Sequence, residues 1–238
     1  HHAFDIFANL IKNSPAPYSS FLNLNGNYIL SSSPERFLHI DGSGHINTRP
    51  IKGTSTKDKA QNFKDSKKDK AENLMIVDLM RNDLSVMGKN IKVDKLFEID
   101  EFANLNHMSS SISAQKKDNI SSLEIVKTCF PPGSMTGAPK LAAINAISEL
   151  ENIERGVYSG AIGYIKTNGA LDLSVTIRTI LIKDNRFEFQ VGGGIIYDSH
   201  PIAEWQETLT KAKGIAKTLG IDMDCLLYTS PSPRDKTV

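Results

Sequence analysis

The sequence predicts an α+β fold, and three observations lead there. Short apolar runs broken by tight-turn pairs fill the first part of the chain, the pattern of consecutive antiparallel hairpins. Helical periodicities stand between groups of strands and do not alternate with them one by one, which argues against a βαβ wind. No stretch repeats at a fixed period, which excludes a solenoid or propeller.

The hairpins come first. In "YSSFLNLNGNYILSSSPERFLHIDGSGHINTRPIKG", Asn25-Gly26 and Asp41-Gly42 supply the turns, and strands are expected over 19–24, 27–32, 36–40 and 45–51. Lys57 to Lys70 is lysine-rich with Asp58, Asp65 and Asp69 interspersed, and reads as a solvated, mixed-charge helix face. It runs into "AENLMIVDLMRNDLSVMG", where Glu72, Met75, Ile76, Leu79 and Met80 share one face of a helix ending before Gly88.

"IKVDKLFEID" and "NHMSSSISAQ" follow as strands. "SSLEIVKTCF" is a helix with Ser121 or Ser122 as N-cap and Glu124 in its first turn. "PPGSMTGAPK" is a loop and "KLAAINAISELENIE" an amphipathic helix. The last helix is "PIAEWQETLTKAKGIAKTLG".

Composition sets limits. The 238 residues carry 28 basic and 27 acidic side chains, so no global field favours nucleic acid or a membrane surface. No apolar run reaches the ~18 residues of a membrane helix. Cys129 and Cys225 make no disulfide framework, and a reduced, cytoplasmic protein is expected. The "HHAFDIF" opening fits a tag remnant or a mid-protein start. The expected organisation is one catalytic unit over 1–222 and a non-native or disordered tail over 223–238, where "CLLYTSPSPRDKTV" breaks the helical pattern.

Several residues could carry chemistry. Lys52 in "TRPIKGTST" stands at an expected strand end, either as a solvated cation or as a nucleophile aimed into a pocket. Glu204 and Glu207 in "EWQE" share a helix face and repel each other unless a cation lies between them. Gly192, Gly193 and Gly194 precede them as a possible anion cradle. Glu72 starts the apolar face of its own helix, where a bare carboxylate is costly unless paired or coordinated. A hard cation such as Mg²⁺ suits such carboxylates, although two solvated glutamates read equally well. "GSMTGAPK" fails as a phosphate loop because the glycine spacing and Lys140 are misplaced, but a turn with Thr136 could hold a carboxylate. Strand alternation puts Arg178 mid-strand among apolar runs, as a salt-bridge partner or a bidentate carboxylate ligand. His107 alone would not stand out.

Taken together and in order, "SPERF", "RPIKGT", "AENLMIVDLMRNDL", "PGSMTGAPK", "SGAIGY", "TIRT" and "GGGIIYDS…AEWQET" resemble the chorismate-utilising enzymes. These include anthranilate synthase component I, isochorismate and salicylate synthases, and aminodeoxychorismate synthase component I. The resemblance spans about residues 15–221 and implies two large antiparallel sheets packed as a sandwich, helices outside, and an active site in the cleft. It also implies a further N-terminal part that completes the sandwich and lies outside this chain.

Lysine in "PIKGT" differs from the alanine that anthranilate synthases typically carry there. Isochorismate and salicylate synthases have a lysine acting as a base for water. The "PIKGT" lysine, with "AENLMIVDLMRND", most resembles the aminodeoxychorismate branch, where it is implied to be a nucleophile. The implied reaction takes chorismate and ammonia to 4-amino-4-deoxychorismate, on the way to p-aminobenzoate and folate. A glutamine amidotransferase subunit is the implied ammonia source. Anthranilate synthase component I is the runner-up, isochorismate synthase follows, and a non-catalytic fragment keeping only glutaminase-binding surface is the reading from another class.

The resemblance also implies roles. Glu72 and Glu207 would hold Mg²⁺, with Glu204 as ligand directly or through water. Arg178, Tyr158 and the backbone around Gly192 and Gly194 would hold the enolpyruvyl carboxylate. Thr136, Gly53 and Thr54 would line the ring pocket, with His107 near the ring carboxylate. Glu35 would help the C4 hydroxyl leave, and Lys52 would add at C2.

Overall fold

The computed structural model describes residues 2–56, 66–101 and 105–223. Two antiparallel sheets form its frame. The chain opens with helix α1 (Ala3–Asn13), then runs through β1 (Tyr18–Leu24), β2 (Asn27–Ser33), β3 (Arg36–Ile40), β4 (His45–Arg49) and β5 (Ile51–Thr56). Helix α2 (Lys67–Met87) leads into the long hairpin of β6 (Gly88–Glu101) and β7 (Leu105–Lys116). Helices α3 (Ser122–Cys129), α4 (Gly133–Thr136) and α5 (Lys140–Leu150) come next. Strands β8 (Ala161–Ile165), β9 (Leu171–Val175), β10 (Thr179–Lys183) and β11 (Arg186–Glu188) precede α6 (Pro201–Leu219).

The smaller sheet has the order β1-β2-β10-β11, and the larger β5-β7-β4-β3-β9-β8 with β6 on the other side of β7. Leu22 and Ile29 of the smaller sheet face Ile162 and Leu173 of the larger across an apolar cleft of about 540 Å³. Helices cover the outer faces. Ile6 and Leu10 of α1 and Ile215 of α6 bury against Leu30 and Ile180. Ile76, Val77, Met80 and Leu84 of α2 join Phe37, Leu38, Ile112 and Leu173 in the larger core. Full burial of each such side chain contributes about 1.5–3 kcal/mol. Among the described residues no helix is long and apolar enough to cross a membrane.

The elements hold for local reasons. Ser121 caps α3, accepting from the Glu124 N–H while the Glu124 carboxylate accepts from the Ser121 N–H, a reciprocal capping box. Pro201 occupies the first turn of α6, and Gly220 ends it in the left-handed region at φ 68°. The Asn25-Gly26 turn has φ 52° and 85° at its two residues, as a tight hairpin requires.

Four departures from the sequence reading matter. The expected 45–51 strand is split at Pro50, which has no N–H to give a ladder, so Lys52 lies inside a new strand rather than at a strand end. Helix α1 was missed, although Ile6 and Leu10 stand at i, i+4. Helix α2 buries Glu72, Asn73 and Asp83 along with its apolar residues, while Met75 and Leu79 are only partly covered. Each of these polar residues has its own partner: the Ser110 hydroxyl of β7 donates to the Asn73 side-chain carbonyl, Lys140 pairs with Asp83 and Lys68 with Glu72. Helix α5, read as amphipathic, buries none of its residues, and Leu141 and Leu150 stay exposed because no described element covers that side. Most of the lysine-rich stretch and the tail from Asp224 on lie outside the described residues.

Candidate active site

The larger sheet aims Lys52 inward through a bulge. The register steps from Ile51 opposite Ser109 to Thr54 opposite His107, so β5 carries one extra residue there. Gly53 absorbs the bulge at φ 82°, a conformation that an L side chain would strain. Lys52 Nζ then donates to the Ser134 carbonyl at 3.1 Å. Burial lowers the Lys52 pKa, and the nearby Glu35 and Glu72 carboxylates act in the opposite direction.

Glu35 lies in the two-residue link between β2 and β3 and is 5% exposed. Its backbone carbonyl accepts from Val175 N–H at 3.0 Å, which ties it to β9. Burial raises its carboxyl pKa to about 7, against the pull of hydrogen bonds from the Ser134 hydroxyl and the Ile51 N–H and of the Lys52 charge. At neutral pH a large fraction of this carboxyl keeps its proton. The acid and the amine thus lie in one neighbourhood, both in contact with Ser134.

The glycine run after β11 forms one wall. A side chain on Gly192 would reach 3.1 Å from the Tyr158 hydroxyl, one on Gly193 3.4 Å from Glu204 Oε2, and one on Gly194 3.3 Å from Lys52 Nζ. The missing side chains therefore leave room in turn beside Tyr158, Glu204 and Lys52. Burial raises the Tyr158 pKa, and the Arg155 guanidinium sits 5.8 Å from its ring centre. The Thr136 hydroxyl turns back onto the Pro132 and Gly133 carbonyls, both at 3.4 Å, and caps its own turn. For Thr54 the backbone position opposite His107 is described.

Arg178 is not mid-strand as the alternation predicted. β9 ends at Val175 and β10 starts at Thr179, and Arg178 occupies the link between the two sheets with φ 49°. The period-2 pattern survives on either side but not through the link, because the chain changes sheets there. The guanidinium is half-buried, and burial lowers its pKa. It reaches 3.4 Å from His107 Nε2. The His107 ring also donates to the Gly53 carbonyl, and burial, helped by the Arg178 charge, drops its pKa to about 4.

Two of the three expected carboxylates converge. Lys68 Nζ lies 2.6 Å from Glu204 Oε1 and 3.7 Å from Glu72 Oε1. Lys68, read from sequence as part of a solvated face, is instead the cation between them. Burial raises the Glu72 pKa; at Glu204 burial acts the same way but the Lys68 and Ser199 hydrogen bonds outweigh it and leave the pKa lowered. Glu207 is exposed and pairs with Lys211 at 2.8 Å, so it does not join them. Among the described residues no three metal-ligating side chains form a cluster that could hold a metal ion. Even so, the donor chemistry fits a hard cation: Glu204 Oε2 is buried without a hydrogen-bond partner, and an ammonium already bridges the pair.

Lys211 and Ser134 were missed from sequence. Lys211 Nζ donates to the Gly192 carbonyl at 2.9 Å while paired with Glu207, and its i, i+4 spacing from that glutamate was a usable signal. Nothing in the spacing of "PGSMTG" marks Ser134.

Comparison with known proteins gives the family. The chain is 42% identical over 223 residues to aminodeoxychorismate synthase component 1 of Salmonella typhimurium, covering 90% of this chain and 49% of that protein. It is 35% identical over 218 residues to anthranilate synthase component 1 of Aquifex aeolicus, covering 87% of this chain and 44% of that one. The crystal structure of anthranilate synthase component I from Streptococcus pneumoniae superposes with a TM-score of 0.82 at 35% identity, over 90% of this chain and 49% of that one. The chain spans about half the length of the curated relatives it matches. Residues 1–217 match the family described as chorismate binding enzyme, and the chain belongs to that family.

Proposed function

We propose that the chain is the chorismate-binding part of an aminodeoxychorismate synthase component I, forming 4-amino-4-deoxychorismate from chorismate and ammonia. The observation that carries this reading is that a partly buried amine, Lys52, and a buried raised-pKa acid, Glu35, both contact Ser134. Relatives with both the aminodeoxychorismate and the anthranilate name match at comparable coverage, so the lysine supports the first of these two over the second, and product identity separates it from isochorismate formation.

The roles follow from charge and proton bookkeeping. Hydroxide leaves poorly, and Glu35, protonated in a large fraction near neutral pH, donates a proton to the departing C4 hydroxyl. Lys52, biased by burial toward the neutral amine, adds at C2 as that hydroxyl leaves. Ammonia then attacks C4, and the Lys52–C2 bond breaks to return the amine. Arg178 and the Gly192–Gly194 backbone hold one substrate carboxylate, with Tyr158 beside them. His107, kept neutral, orients the Arg178 guanidinium.

Glu72 and Glu204 would hold Mg²⁺ in place of the Lys68 ammonium, with Glu207 released from Lys211 as a further ligand. When bound, the ion supplies a positive charge that orients the ring carboxylate. Ammonia would come from a glutaminase partner, as the name "component" in the relatives suggests.

Product identity tests the reading. The chain is incubated with chorismate, ammonium and Mg²⁺, and products are separated by chromatography with mass detection. A stable amino-deoxychorismate is expected. Anthranilate with pyruvate release, or isochorismate, would replace this reading with the corresponding relative's reaction.

A further inference from the structure

Ser134 touches both reacting groups, and no role above uses it. Its backbone carbonyl accepts from Lys52 Nζ at 3.1 Å, and its hydroxyl bonds the Glu35 carboxyl. Yet Ser134 stands on α4, a single turn that too few internal hydrogen bonds hold in place by themselves.

The fixing comes from outside the turn. Lys140 Nζ donates to the Cys129 carbonyl at 2.8 Å, to the Pro131 carbonyl at 2.9 Å and to Asp83 Oδ2 at 2.6 Å. All three ammonium protons are used. Asp83 is 8% exposed and belongs to α2, the helix that also carries Glu72. The loop entering α4 is thereby tied to α2 just ahead of Ser134. Gly133 lets the two come close, since a side chain there would meet Leu79 Cδ2 at 2.8 Å.

We infer that Ser134 is a positioning residue that fixes Glu35 and Lys52 relative to one another, and that the Lys140–Asp83 pair is the clamp presenting it. The inference rests on Lys52 and Glu35 being the reacting groups. A buried ion pair could instead serve only the fold, and the two roles separate in a kinetic cycle.

The experiment measures chorismate turnover with ammonium in four forms: unaltered, Ser134→Ala, Glu35→Gln and the double variant. Ser134→Ala should lower kcat by about tenfold to a hundredfold, the scale of one hydrogen bond to an ionisable group, and change KM by less than about threefold. Ser134→Thr, which keeps the hydroxyl, should recover most of the rate. If Ser134 acts through Glu35, the double variant is no more than about threefold slower than Glu35→Gln alone. Losses that multiply in the double variant, or an unchanged kcat in Ser134→Ala, overturn the inference. Asp83→Asn tests the clamp and should reduce kcat with little change in KM; if that variant does not fold, the Ser134 cycle still decides. Absent turnover by the unaltered chain, or unaffected turnover in Glu35→Gln, overturns the functional reading itself, a result distinct from failure at Ser134.

Discussion

The Arg178 guanidinium stands 3.4 Å from Nε2 of His107, an arginine facing an imidazole rather than a carboxylate. Burial and this neighbouring charge hold the His107 pKa at about 4, below its ordinary 6.5. The unfolded chain takes up this proton near pH 6.5 and the folded chain does not. His107 therefore contributes stability that is complete above pH 6.5 and is lost as pH falls toward 4. The loss should be on the order of 2–3 kcal/mol. Urea unfolding at a series of pH values should show this slope in the unaltered chain and not in His107→Gln; equal slopes would contradict the assignment.

Glu35 has the opposite sign. Its folded pKa of about 7 exceeds the ordinary 4.5, so its contribution is fully present below pH 4.5 and is lost as pH rises through 7. Glu35→Gln should thus be more stable than the unaltered chain at pH 8, by on the order of 2 kcal/mol, while turning over chorismate far more slowly. Melting at pH 5 and pH 8 checks it. A stability difference that does not grow with pH would show the carboxyl is ionised in the fold.

Lys52→Ala should lose most ammonia-dependent formation of the C4 product while still binding chorismate, because Arg178 and the carboxylates are untouched. Intact-mass analysis of the chain with chorismate and no ammonia should reveal an adduct on the Lys52 peptide. A near-normal rate in the alanine variant would make Lys52 an ordinary buried cation.

Arg178→Lys should weaken chorismate binding by on the order of 2–3 kcal/mol, because an ammonium cannot grip a carboxylate at two points. Calorimetric titration measures it. A change under about tenfold would assign Arg178 to the fold alone.

Lys68 pairs with both Glu72 and Glu204, the two carboxylates proposed above to hold Mg²⁺. Lys68→Met should therefore raise Mg²⁺ affinity several-fold, and Glu72→Gln and Glu207→Gln should each abolish Mg²⁺-dependent chorismate binding. Isothermal titration with Mg²⁺ decides both. Undiminished affinity in both glutamine variants would remove the metal from this site.

Much of this was legible beforehand, and the failures have a common cause. The Asn25-Gly26 hairpin and the capping box at Ser121 are local, so their residues alone disclosed them. The motif order gave the family and the two-sheet architecture. What stayed hidden depends on partners far along the chain. Lys52 looked like a strand end because the expected strand ran through Pro50, and the bulge at Gly53 that follows exists only against β7. Arg178 looked mid-strand because alternation carries no mark of a sheet change. Glu207 looked like a partner of Glu204, but its choice of Lys211 is a matter of rotamer and local charge. Ser134 showed nothing, since its value comes from what the loop is tied to.

The link at Arg178 has a mechanical consequence. Its backbone carbonyl accepts from Ser32 N–H at 3.1 Å in the smaller sheet, while its side chain meets His107 in the larger. One residue is thus a rivet through both layers, and its outer end is also the proposed handle for substrate. An anion seated on that guanidinium pulls on the seam between the layers as well as on the pocket. Ligand occupancy should then slow amide exchange at Ser32 and along the start of β10, well outside the pocket, as tension in a tie rod is felt at both plates.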